Sequence, residues 1–163
     1  METETEELPL ACRNGLRDAI LLGDPIGFID TCLADTITDN GQETWNLLAE
    51  RKIENVILCG VYFNMCVLGW PVGIRQMVKL VGNVALMRDM TDAMYNPERP
   101  PGVDHFTGTD LVIQHIEQHW CPSFTSGDLV GGEAFKFKED KRAHTTYDSK
   151  GVGTTKLDLN AVL

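Results

Sequence analysis

Cys66 lies in the run Asn55 to Trp70, NVILCGVYFNMCVLGW, where the strand-forming residues Val56-Ile57-Leu58-Cys59-Gly60-Val61 break into a turn that delivers one thiol to the start of a helix. The thiolate is the reactive form of cysteine, and the unpaired amides and positive dipole end of a helix N-terminus stabilise negative charge there. Cys66 is therefore the candidate nucleophile. Attack of such a sulfur on a carbonyl carbon needs a thiolate, a proton carrier for the leaving group, and donors for the developing oxyanion. A thiol at such a turn can also simply pack, because free cysteine is among the most buried residue types.

Other side chains with chemistry are weaker candidates. Asp89 and Asp92 follow the Val84 strand and fall at the same end of a parallel sheet as Cys66, although acids at strand-to-loop junctions commonly form turns. His105, in PERPPGVDHF, is a loop histidine that could approach the same cleft. His115 and His119 have the i, i+4 spacing that can hold zinc, but there is no HExxH glutamate and no third ligand, so a solvated helix face accounts for them. The five cysteines, Cys12, Cys32, Cys59, Cys66 and Cys121, are odd in number and contain no CxxC pair, which suggests neither a disulfide framework nor a cysteine zinc knuckle. Cys59, inside the strand, is expected to be buried and inert.

These residues need a scaffold of alternating strands and helices. Asn40-Gly41-Gln42-Glu43 has capping-box spacing, and Trp45, Leu48 and Ala49 give one apolar face, which predicts a helix over 41–52. Val56 to Val61 reads as a strand. Val67, Ile74, Met77, Val78 and Val81 continue a helical face after Cys66, with a kink or restart at Pro71. Val84 to Arg88 is the next strand. Thr107 or Thr109 is expected to cap a helix carrying Leu111, Val112, Ile113 and Ile116, stopped by Pro122, and Phe124-Thr125 forms a short last strand. This order predicts βαβ units and a mainly parallel sheet covered on both faces, with ligands at the carboxyl ends of the strands.

Composition narrows the partners. The chain has 163 residues, 43% of them hydrophobic, enough for one domain with a core. Its formal net charge of −10, with no basic stripe, argues against nucleic acid and anionic membranes as partners. No apolar run approaches the roughly 20 residues of a membrane-spanning helix, and METETEELPL is acidic where a secretory signal is basic, so a cytoplasmic protein is expected. The division expected is an acidic, mobile stretch over 1–15, one α/β domain over 16–135, and a charged, mobile tail over 136–163 that follows Gly131-Gly132 and takes in KFKEDKR.

Within this frame GVYFNMCVLG, Gly60 to Gly69, resembles the nucleophile loop of the isochorismatase-like cysteine hydrolases, a superfamily that includes nicotinamidases and N-carbamoyl amide hydrolases. The likeness runs from about Asp35 to Gly132 through ADTITDNGQETWNLL, LMRDMTDAMYNP and HFTGTDLVIQHIEQHWCP. It implies an α/β, three-layer Rossmann-like domain and hydrolysis of a small amide or other C–N bond through a thioester at Cys66. It further implies an oxyanion hole from the amides of Cys66 and the Val61-Tyr62 region, where relatives hold a cis peptide, and a pocket that includes Tyr62, Phe63, Asn64 and Trp70. No metal or organic cofactor is required, although some relatives hold zinc through upstream residues absent here. The partners implied are a small-molecule substrate and further copies in a homo-oligomer.

The sequence also departs from the family. Relatives draw a catalytic Asp and a Lys from strands upstream of the Cys, and the stretch ahead of Cys66 resembles neither segment, so the chain reads as the C-terminal portion of the domain with incomplete N-terminal strands. Ile26-Gly27-Phe28-Ile29-Asp30 superficially resembles the family's first strand, which makes Asp30 a minor alternative acid, with a solvent-facing strand end preferred. Gly69-Trp70-Pro71-Val72-Gly73 stands where the similar branch has GRPFG, exchanging a charged five-donor side chain for an aromatic face. A non-catalytic binding or assembly module, or an unstable fragment, is the alternative to an enzyme. In either case the sheet edge left by missing strands must be covered, by residues 16–30 or by a partner subunit.

Overall fold

A computed structural model describes residues 20–21 and 36–142. The expectations for Cys12, Cys32, Asp30, nearly all of residues 16–30 and the tail from Ala143 lie outside the described residues. The chain divides into two units, Met1–Arg51 and Lys52–Leu163, so the boundary falls inside the span 16–135 expected as one domain.

In the first unit β1 (Ile20–Leu21) pairs in parallel with β2 (Thr36–Ile37), and α1 spans Gly41–Glu50. Helix α1 starts where predicted because the Asn40 side chain accepts from the amides of Gln42 and Glu43 at 2.9 and 3.2 Å. The box closes through a different residue than its spacing suggests. Glu43 accepts the Thr38 hydroxyl at 2.6 Å, and Thr38 Oγ1 in turn accepts the Asn40 amide at 3.1 Å. The buried positions are Thr44 and Leu48, while Ala49 is exposed.

The second unit contains three parallel strands in the order β3 (Asn55–Val61), β4 (Asn83–Asp92), β5 (Ser123–Phe124). Between them run α2 (Cys66–Gly69), α3 (Ile74–Leu80) and α4 (His105–His119), and α5 (Ser126–Val130) follows β5. The mixed α/β content and parallel pairing are those expected. The helical face expected after Cys66 divides into α2 and α3 around Pro71, which has no amide hydrogen to continue a helix. Ile74, Met77, Leu86, Ile116 and Phe63 are the largest fully buried apolar side chains, so the core lies between β4 and the helices that flank it in sequence.

Two features of the sheet matter for the site. Among the described residues β3 pairs only with β4, and its Val56, Ile57 and Leu58 are half-buried, whereas Val84, Ala85 and Leu86 of central β4 are buried. Cys59 is accordingly exposed, against the expectation of a buried residue, because an edge strand lacks a neighbour on one side. Secondly, the β3–β4 ladder jumps from Leu58 opposite Leu86 to Gly60 opposite Thr91, so β4 bulges over Met87 to Met90. The Thr91 hydroxyl donates to the Met87 carbonyl at 2.8 Å and closes that bulge, which throws Asp89 towards the segment after β5.

No helix among the described residues is long and apolar enough to cross a membrane.

Candidate active site

Cys66 is the first residue of α2 and half-buried. The turn that carries it begins at Tyr62, which adopts a left-handed φ of 53°. For a non-glycine residue that conformation costs about 1–2 kcal/mol and persists only where surrounding contacts enforce it. Here the enforcing contacts are explicit. The Tyr62 carbonyl accepts from the amides of Met65 and Cys66 at 2.8 and 2.9 Å, and the Phe63 amide donates to the Asp92 carbonyl at 3.2 Å. Asn64 clasps the segment after β4, with Nδ2 donating to the Met94 carbonyl at 3.1 Å and Oδ1 accepting the Met94 amide at 2.9 Å. Gly73 completes the support, because a Cβ there would stand 2.7 Å from the Val67 carbonyl oxygen and 3.0 Å from that of Cys66.

This geometry changes several expected roles. The Cys66 amide points at the Tyr62 carbonyl, where it is already paired, so it is not an open oxyanion donor. The cis peptide among the described residues is Pro100-Pro101, and the Val61-Tyr62 bond is trans. Phe63 is completely buried and belongs to the core instead of a pocket wall. Asn64 spends both ends of its amide on Met94 and is a clasp. Tyr62 and Trp70 are exposed, and the Trp70 amide donates to the Cys66 carbonyl at 3.0 Å. Around the turn Val61, Tyr62 and Met65 keep 65%, 52% and 56% of their surface, and Met94, joined to it through Asn64, keeps 58%.

The structure brings Asp92 and His105 together. Helix α4 begins two residues before Thr107, because its cap is Asp104, whose carboxylate accepts the Thr107 amide at 3.0 Å and also the Thr107 hydroxyl. Neither Thr107 nor Thr109 is the cap. His105 thereby becomes the first helical residue, with Nε2 at 2.8 Å from Asp92 Oδ1 and Nδ1 at 3.2 Å from the Tyr95 carbonyl. A carbonyl and a carboxylate can only accept, so this arrangement selects the doubly protonated ring. Burial alone would lower the His105 pKa, but the Asp92 and Tyr95 hydrogen bonds and the charges of Asp92 and Asp104 outweigh it and raise the pKa above its ordinary value. The ring has no free lone pair and joins β4 and the Met94 segment to α4. It is a strut in this arrangement and would act as a proton carrier only by giving up one of its two bonds.

Asp89 is equally committed. It accepts the Ser126 amide at 2.8 Å, the Ser126 hydroxyl at 2.5 Å and the Phe135 amide at 2.8 Å, fixing α5 and the irregular return after it. That return continues through Arg142, inside the span 136–163 expected as a mobile tail. Phe137 stacks on Phe106 at 6.1 Å, and Arg142 bonds Asp110 at 2.7 Å and Asp140 at 2.9 Å with its guanidinium 5.6 Å above the Phe106 ring. The Arg142 hydrogen bond holds the Asp140 carboxyl below its usual range, whereas burial raises Asp110 despite the same partner. A mixed-charge run looks like tail in sequence; its phenylalanines were the signal that it packs.

The thiols are sharply different. Burial, then the Glu117 charge, pushes Cys121 up to about 12. The protein packed around Cys59, then the Asp89 charge, raises that thiol too, although by surface area the residue is open to solvent, and access follows the surface. Among the described residues no group of three or more His, Cys, Asp or Glu could hold a metal ion.

Comparisons with protein-family models, with curated proteins and with solved structures find no match to this chain. The class that the fold and site define on their own is an α/β protein with a parallel sheet and a cysteine at a clasped strand-to-helix turn.

Proposed function

We propose that the chain is a partial Rossmann-like, three-layer domain of the isochorismatase-like cysteine hydrolases, acting on a small amide or another C–N bond. Cys66 sulfur attacks the carbonyl carbon, the C–N bond breaks, and the amine leaves with a proton. Water then hydrolyses the thioester, releasing the acid and restoring the thiol. The observation that carries the reading is the placement of Cys66 at the carboxyl end of β3, the end at which parallel sheets bind ligands, on a turn whose left-handed Tyr62 is held by three sets of backbone and Asn64 contacts. In this reading the chain works in the cytoplasm on a small molecule and assembles with further copies of itself.

A second reading has its own observation. The Cys66 amide and both His105 nitrogens are already paired, and apolar side chains crowd the surface of the turn, which suits a non-catalytic relative retained as a binding or assembly module. One experiment separates the two. The full chain and its Cys66→Ser variant are incubated with a panel of small primary amides and with an activated ester, and followed by product release and intact mass. The hydrolase reading expects acyl adducts on Cys66 that turn over and vanish in the variant. Absence of any adduct with the ester at a thiol that alkylates normally assigns the chain to the binding module.

A further inference from the structure

We infer that His115 and His119 form a chelating site for a late first-row divalent ion on the outer face of α4. Both side chains are exposed on a helix of 15 residues, and their ring centroids lie 4.7 Å apart with the planes inclined at 49°. Two imidazole nitrogens bound to one ion sit about 2.0–2.1 Å from it and hence roughly 3 Å from each other. Ring centres 4.7 Å apart are close enough for one ion to bridge the two side chains. The i, i+4 spacing supplies the proximity, because residues four apart lie one above the other on a helix face.

The remaining histidine of the second unit's described part shows the contrast. His105 has both nitrogens bonded to Asp92 and Tyr95 and cannot serve as a ligand without dismantling that cluster. Helix α4 is anchored at both ends, by the Asp104 cap and by buried Ile113 and Ile116, so the pair is presented on a rigid element. No third His, Cys, Asp or Glu joins it among the described residues. A two-imidazole site therefore leaves the other coordination positions to water or to donor atoms of an incoming molecule, and imidazole ligands favour copper, nickel and zinc over magnesium or calcium.

The test uses the full chain, titrated with Ni²⁺ while the imidazole resonances of its four histidines are followed by NMR. Substoichiometric Ni²⁺ is expected to broaden the His115 and His119 signals first. Chelation also predicts that His115→Gln and His119→Gln each lower the apparent affinity at least tenfold, the remaining ring holding Ni²⁺ only weakly, and that the double variant loses binding on this helix. Mg²⁺ should produce no change, and acidification should release Ni²⁺ because protons compete for the same nitrogens. Equal broadening of all four histidines, or affinity unchanged in the single variants because the thiols hold the ion, would overturn the site. Single variants that bind Ni²⁺ at the remaining histidine as tightly as the wild type would show two separate monodentate contacts and would overturn it as well.

Discussion

Replacing His105 by glutamine tests the strut that ties the post-β4 segment to α4. The substitution removes a charge-assisted bond to Asp92 and the bond to the Tyr95 carbonyl, found at 2.8 and 3.2 Å. Hydrogen bonds to charged groups contribute about 1.5–3 kcal/mol, but His105 and Asp92 keep 34% and 29% of their side-chain surface, so solvent screening reduces the figure to about 1–2 kcal/mol. The pH dependence has a definite sign. Because the folded pKa of His105 is raised, its protonation-linked stabilisation is fully present below the unfolded value of about 6.5 and is lost as pH rises through the folded pKa. A neutral ring keeps only one N–H, so above that range the difference between wild type and variant should shrink to about 0.5–1 kcal/mol. Urea unfolding of both proteins at pH 5.5 and pH 9, at constant ionic strength, reads this directly. A difference that is the same at both values, or larger at pH 9, would refute the cationic strut and make His105 a neutral packing residue.

The other predictions concern close packing and the thiols. Gly108→Ala should destabilise the second unit by about 1–3 kcal/mol in thermal or urea unfolding, because its Cβ would stand 2.5 Å from the Tyr95 ring; adding Tyr95→Ala should recover part of that loss. Asp89→Ala leaves the Ser126 amide without its acceptor and the Phe135 amide with only its longer bond to the Ser126 hydroxyl at 3.2 Å, so it should cost about 1–3 kcal/mol and open residues 126–142 to limited proteolysis while β3 and β4 stay protected from hydrogen exchange. Iodoacetamide at pH 7 on the folded chain should label Cys66 well ahead of Cys59 and leave Cys121 untouched. Cys59 should catch up only above the ordinary thiol range of about 8.5, since its raised pKa keeps it protonated below that; early labelling of Cys59 would contradict the effect of the surrounding protein and of the Asp89 charge.

Local patterns made much of the scaffold legible. Asn40 announced the start of α1, Pro71 the break between α2 and α3, and the Val56 and Val84 runs the two long parallel strands, because caps, missing amide hydrogens and apolar periodicity act over a few residues and need no distant partner. Cys66 at the strand-to-helix turn belongs with these. The residues misjudged are those whose role depends on what lies opposite them. Cys59 reads as a core residue until β3 is seen at the edge, and Phe63 and Asn64 read as pocket residues until the turn folds one inward and pairs the other with Met94.

The type and order of the elements from α1 to β5, and the thiol placed at a strand end, were determined by the sequence itself, since each follows from short-range sterics and hydrogen bonding. Tertiary structure alone decided which polar groups remain open. His105 meets Asp92 and Tyr95, Asp89 meets Ser126 and Phe135, and the Cys66 amide meets the Tyr62 carbonyl through turns and a bulge that bring separate segments into register. A hydrogen bond is set by position and angle to within a fraction of an ångström, and no spacing in the chain encodes that until the strands have paired.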